Sequence, residues 1–241
     1  MGRHGTIAGR KAAQDSKKAA IFTKCARAIM VAAKGGGDPA YNASLKHAIE
    51  KAKSGGMTKD RIEQAIKKGT GELAGDSLTE ARFEGYGPSG VAIIVDVLTD
   101  NMNRATSSVK HIFDRNNGNF GAPGSVTYMF ERKGVILIER SLAEEEDIME
   151  AGLDAGLEDV IDAEEYWEVR TAPEDLLAVA DALREAGYEL EEADVDFIPN
   201  TLSEPKDEQA LKSLIKIVDL FENEDDVQKV YTNCSVPLVS E

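Results

Sequence analysis

The sequence predicts an α+β protein: a helical N-terminal bundle followed by two α/β (ferredoxin-like) domains, the third inserted into the second. In the first third, apolar residues recur at helical spacing, with glycine-rich stops between the segments. From Val91 onward, strand-like runs alternate with helical ones. Residues 133–197 then spell βαββαβ, a complete ferredoxin-like unit. The βαβ before it, and the helix and strand after it, look like a similar unit split open. The predicted boundaries are 1–75 for a basic helical domain with a mobile arm, 76–132 plus 200–241 for a discontinuous middle domain, and 133–199 for the insert. A chain of 241 residues is long enough for two to three small domains, each with its own core.

Residues 1–14 are polar, basic and glycine-rich, which predicts an arm. A transit peptide fits less well, because the stretch runs straight into a capped helix and no secretory apolar region follows. Asp15 or Ser16 can cap a helix to about Lys34, stopped by Gly35-Gly36-Gly37. Its apolar residues Ile21, Phe22, Cys25, Ala26, Ile29 and Ala33 share one face. Lys17, Lys24, Arg27 and Lys34 fall within roughly a 100° arc on another. A second helix is predicted over Asn42–Lys53 and a third over Thr58–Lys68, each with a basic pair seven apart. Beyond Thr70–Asp76 come a buried strand (Val91–Leu98), a helix (Asn103–Arg115), and a strand (Ser125–Phe130) turning at Lys133-Gly134 into another (Val135–Glu139). A helix (144–155), strands at 159–163 and 166–171, a helix (Pro173–Ala186) and a strand (189–197) follow. A helix (Glu208–Phe221) and a strand (Val227–Asn233) close the chain.

The net charge is −16, but its distribution is uneven: residues 1–72 sum to +9, 73–140 to −1 and 141–241 to −24. An asymmetry of this size signals a partner more than the total does. No apolar run approaches the roughly 20 residues of a membrane helix. Cys25 and Cys234 are too far apart to form a metal pattern and read as reduced packing residues of a cytosolic protein.

Few motifs point to catalysis. Gly85-Tyr86-Gly87-Pro88-Ser89-Gly90 matches G-x-G-x-x-G literally, but a strand follows it where the dinucleotide fingerprint needs a helix. It reads as a turn or a surface loop that contacts a partner, with Gly85, Tyr86, Gly87 and Pro88 as its residues. Gly118–Ser125 lacks the Gly-Lys-Ser/Thr of a phosphate loop and reads as a flexible connection. His4, His47 and His111 have no metal-ligand partner at i+4. Glu144, Glu145, Glu146, Asp147, Glu164 and Glu165 read as a solvated acidic face.

Basic residues therefore carry the chemistry. Arg3, Arg10, Lys11, Lys17, Lys18, Lys24, Arg27 and Lys34 combine an arm with a helical stripe, and Lys67 and Lys68 end the third helix. Such groups bind phosphate by releasing counterions and carry no base information. Only Phe22 and Tyr41 are aromatic in the first 72 residues, which argues against a base-stacking platform.

Several blocks, in order, closely resemble the YebC/PmpR family. They are Gly9-Arg10-Lys11-Ala12-Ala13-Gln14-Asp15, Ile21-Phe22-Thr23-Lys24, Gly36-Gly37-Asp38-Pro39, Ala65-Ile66-Lys67-Lys68-Gly69-Thr70-Gly71, Glu84-Gly85-Tyr86-Gly87-Pro88 and Tyr128-Met129-Phe130-Glu131-Arg132-Lys133-Gly134. The match runs over the whole chain and is strongest in the first 135 residues. The chain departs from many members in carrying Gly5-Thr6-Ile7-Ala8-Gly9 where they have a Trp and further basic residues. The resemblance implies a three-domain cytoplasmic protein with no enzyme activity and no cofactor. Bacterial members are described as DNA-binding transcriptional regulators. Others, including a mitochondrial relative, look like translation factors that act at the ribosome and relieve stalling.

Two functions follow as expectations. One is a DNA-binding transcriptional regulatory protein using the basic N-terminal domain. The other is a ribosome-associated factor that binds rRNA. Neither involves a membrane, a metal or a small-molecule substrate, and the sequence specifies no oligomeric state.

Overall fold

A computed structural model describes residues 21–74, 78–163, 165–236 and 238, and joins helices to two antiparallel sheets. The described residues fall into two compact units. One holds those up to Val126 together with those from Ser203 onward; the other is Thr127–Leu202. Three separate buried clusters lie within them.

The first cluster belongs to three helices: α1 (helical over residues 21–33), α2 (Ala43–Ser54) and α3 (Lys59–Gly69). Helical spacing brings Ile29, Ala33, Leu45, Ile49, Ala52, Ile62 and Ala65 together with Met57. Each large aliphatic side chain removed from water contributes about 1.5–3 kcal/mol. Asn42 caps α2: its side-chain oxygen accepts from Leu45 N at 3.0 Å.

The first sheet follows. β1 (Thr79–Tyr86) pairs antiparallel with β2 (Ala92–Thr99), and β3 (Asn119–Phe120) adds to the outer edge of β1. α4 (Met102–Arg115) and α7 (Glu208–Glu222) supply Phe113, Ile112, Ile217 and Phe221 to the core against Ile93, Val95 and Val97. β8 (Val227–Thr232) pairs antiparallel with β2, giving the order β3-β1-β2-β8. The chain thus leaves this unit after Val126 and returns to complete its sheet.

Two predicted elements differ, and one strand was not predicted. β1 was not anticipated: its apolar positions Ala81, Phe83 and Gly85 alternate, but two are small and the other face is charged. Arg82 and Asp96 pair across the strands there at 2.7 Å. The strand predicted at Ser125–Phe130 is instead a short 3-10 turn, Thr127–Met129. Lys133-Gly134 is not a turn but the interior of a ten-residue strand, with Gly134 paired to Thr171 on one side and Val195 on the other. The second unit therefore starts at Thr127 rather than 133.

That unit consists of β4 (Phe130–Glu139), α5 (Glu145–Gly152), β5 (Leu157–Ala163), β6 (Tyr166–Thr171), α6 (Leu176–Glu185) and β7 (Glu192–Pro199). All neighbours in the order β5-β6-β4-β7 are antiparallel. Ile136, Ile138, Ile148, Trp167, Val169, Val179 and Leu183 form its core. The Trp167 indole donates to Ala143 O at 2.9 Å, which satisfies the ring's one polar atom.

Candidate nucleic-acid interface

Of the ten basic residues the sequence singles out, Arg3, Arg10, Lys11, Lys17 and Lys18 lie outside the described residues. The other five divide into two groups with different surroundings.

Lys24, Arg27 and Lys34 turn toward the first sheet unit. Lys24 Nζ donates to Glu222 O at 2.8 Å. The Arg27 guanidinium donates to Asp225 O, to Leu98 O at 3.3 Å, and to the Asp226 carboxylate at 2.7 Å. Lys34 Nζ donates to Leu78 O. Apart from Leu98 O, which belongs to β2, the acceptors for Lys24 and Arg27 sit at and just past the end of α7, where unsatisfied carbonyls give the helix a negative pole. Burial pushes the Lys24 ammonium below its ordinary value, although Glu222 and Asp225 act the other way. The stripe expected to face phosphate is here a docking face within the protein.

Asp226 is the centre of this contact. Its side chain is 10% exposed and accepts from Arg27, from Arg104 at 2.8 Å and from the Thr99 hydroxyl at 2.9 Å. Burial alone would raise its carboxyl. The hydrogen bonds from Arg104 and Thr99, with the charges of Arg27 and Arg104, outweigh that and hold it below the usual carboxylate range. Arg104 also binds Asp100 at 2.6 Å. A cleft of about 650 Å³ opens here, lined by Arg27, Asp100, Arg104, Glu224, Asp225 and Asp226 among others. Its two guanidinium groups are already matched by carboxylates, so it is no ready anion site. Among the described residues, no group of three or more His, Cys, Asp or Glu side chains is placed to hold a metal.

Lys67 and Lys68 differ. Both are exposed in the last turn of α3, where cations suit the helix dipole. Neither side chain makes an ion pair or hydrogen bond to another described residue. Of the five, they are the two without a partner among the described residues.

The loop assigned to a partner is mostly buried. Gly85, Gly87 and Pro88 are buried, and Gly85 and Tyr86 belong to β1. A Cβ on Gly85 would stand 2.6 Å from Asn119 O and 2.8 Å from the Phe113 ring; one on Gly87 would stand 2.9 Å from Ile93 and Leu214. These glycines permit close packing of the sheet on α4 and α7. The Tyr86 hydroxyl donates to Ser125 O at 3.0 Å. The connection Gly118–Ser125, read as flexible, is held by Glu84. That carboxylate, on a residue 5% exposed, accepts from Gly124 N at 2.7 Å and Val126 N at 2.8 Å.

Asp226, Arg104, Thr99 and Glu84 were not singled out in the sequence. Only Asn101 carried a usable signal, since Asn before a helical run is a cap, and its side chain does accept from Arg104 N at 3.0 Å. Cys25 and Cys234 are free thiols, each packed against a core.

A helical segment with its own core and exposed lysines, followed by two antiparallel sheets backed by helices, makes this an α+β protein. Comparison with known proteins places it further. The description "TACO1/YebC protein N-terminal domain" matches residues 3–72, and "TACO1/YebC second and third domain" matches residues 78–234. The chain belongs to the TACO1/YebC family. A "Probable transcriptional regulatory protein" of Persephonella marina is 50% identical over 229 residues, 94% of this chain and 92% of that one. One of Clostridioides difficile is 50% identical over 238 residues, 98% of this chain and 100% of the relative. A crystal structure of a conserved hypothetical protein from Aquifex aeolicus superposes with a TM-score of 0.85 at 41% identity, over 92% of each chain.

Proposed function

We propose that the chain is a nucleic-acid-binding regulator of gene expression that grips phosphate through its basic N-terminal segment. DNA is the target to which the relatives' name points. The observation that carries this reading is the pair Lys67 and Lys68: exposed, unmatched among the described residues, and set in a segment of net +9 within an otherwise acidic chain. Lys24, Arg27 and Lys34 do not belong to that surface while Lys24 and Arg27 hold the carbonyls at the end of α7 and Lys34 holds Leu78 O. The reading assigns binding and no catalysis or cofactor. The double substitution Lys67→Glu with Lys68→Glu should weaken binding about equally across DNA sequences. It should also flatten the salt dependence by about one unit per lost phosphate contact. Binding equal to wild type would overturn the reading.

One observation favours a second target. Residues 141–241 carry −24 and are repelled by a bare duplex, whereas a ribosome offers rRNA beside cationic protein. Cosedimentation with ribosomes through a salt-washed gradient separates the two, and absence from every ribosomal fraction would remove the second.

A further inference from the structure

The loop between α1 and α2 presents an aromatic ring that no described residue covers. Tyr41 is 92% exposed. The turn that carries it is braced: Tyr41 N donates to Asp38 O at 3.1 Å and Ala40 N to the Asp38 carboxylate at 2.9 Å. The next residue, Asn42, donates to Ala32 O and Gly36 O, each at 2.8 Å, while capping α2. The ring is therefore displayed from a fixed base, so little backbone order remains to be lost when it is covered. Gly37 of the same loop lies against Thr70 and Ile66, which sets the loop beside the end of α3 that carries Lys67 and Lys68. The nearby carboxylates of Asp38 and Glu72 accept from Ala40 N and the Thr70 hydroxyl, and neither forms an ion pair with Lys67 or Lys68 among the described residues.

An exposed aromatic ring on a loop that touches the end of α3, where two unmatched ammonium groups stand, matches an unpaired base flanked by phosphates. In a duplex the base faces are already stacked, so only an unpaired base offers one. We propose that Tyr41, one ring and not a stacking platform, stacks a single unpaired nucleobase while Lys67 and Lys68 hold phosphates of the same strand, so that this end of the helical segment takes single-stranded nucleic acid. The proposal rests on the phosphate-binding reading above and names its ligand.

Fluorescence anisotropy with the whole chain tests it. The probes are an oligouridine and an oligodeoxythymidine of about 12 nucleotides, within the usual site size, and an RNA and a DNA duplex. Tyr41→Ala should weaken binding of the single strands roughly 5- to 150-fold, the loss of one stacked base, and leave the duplexes unchanged. Tyr41→Phe should bind like wild type. Tyr41→Trp should show indole quenching by single strands that is absent in wild type, whose single tryptophan, Trp167, is buried. Tighter binding of oligouridine identifies RNA as the source of the base, and equal binding identifies the base face alone; both carry the proposal. If Tyr41→Ala leaves single strands unaffected, or weakens duplexes equally, while the Lys67/Lys68 double variant still loses affinity, stacking is overturned and the phosphate reading stands. If the double variant binds all four probes like wild type, both fall.

Discussion

Asp226 shows how one side chain can join segments far apart in the chain. Arg27, Thr99 and Arg104 converge on a carboxylate 10% exposed. Asp226→Asn keeps the shape but removes the charge that matches two guanidinium groups, and should cost about 2 kcal/mol in urea unfolding. Its acid dependence has a definite sign. The folded carboxyl titrates below its ordinary value of about 3.9, so its contribution is present above that pH and is lost as pH falls through the lower folded value. The difference between wild type and Asp226→Asn should therefore be full at neutral pH and shrink below about pH 4. A constant difference down to the acid limit would show that the carboxylate charge contributes nothing.

At the level of elements, close approach decides the packing of β1. Phe113 from α4 and the backbone of Asn119 press on Gly85 from two directions. Gly85→Ala should cost about 1–3 kcal/mol through overpacking, measured by thermal or urea unfolding. A neutral result would return this segment to the role of an exposed partner loop. The same scale explains the cationic face of α1. A negative helix terminus on α7 and a basic stripe on α1 satisfy each other inside one unit. The sequence displayed the stripe plainly; what it lacked was the position of α7, nearly two hundred residues on. Helix spans, glycine stops and the apolar faces were legible because their signals are local. β1 was not, because a strand whose outer face is charged and whose inner face holds an alanine and a glycine sends a weak signal.

For the whole molecule, the segment Thr127–Leu202 has its own sheet and its own buried cluster, from Ile136 to Leu183. Excised as residues 127–202, it should fold alone, with a cooperative urea transition followed by circular dichroism. A featureless melt would show that it depends on the rest of the chain. Charge acts at this scale too: −24 over residues 141–241 repels polyanions from that segment, while residues 1–72 carry +9.

By itself the sequence determined the α+β class, the N-terminal helices, the charge polarity and the family, because each rests on local periodicity, composition or ordered motif blocks. Tertiary structure alone decided which lysines and arginines face water. A side chain's partner depends on what distant elements bring beside it, and here α7 and Asp226 reach Lys24 and Arg27 while Lys67, Lys68 and the ring of Tyr41 are left open.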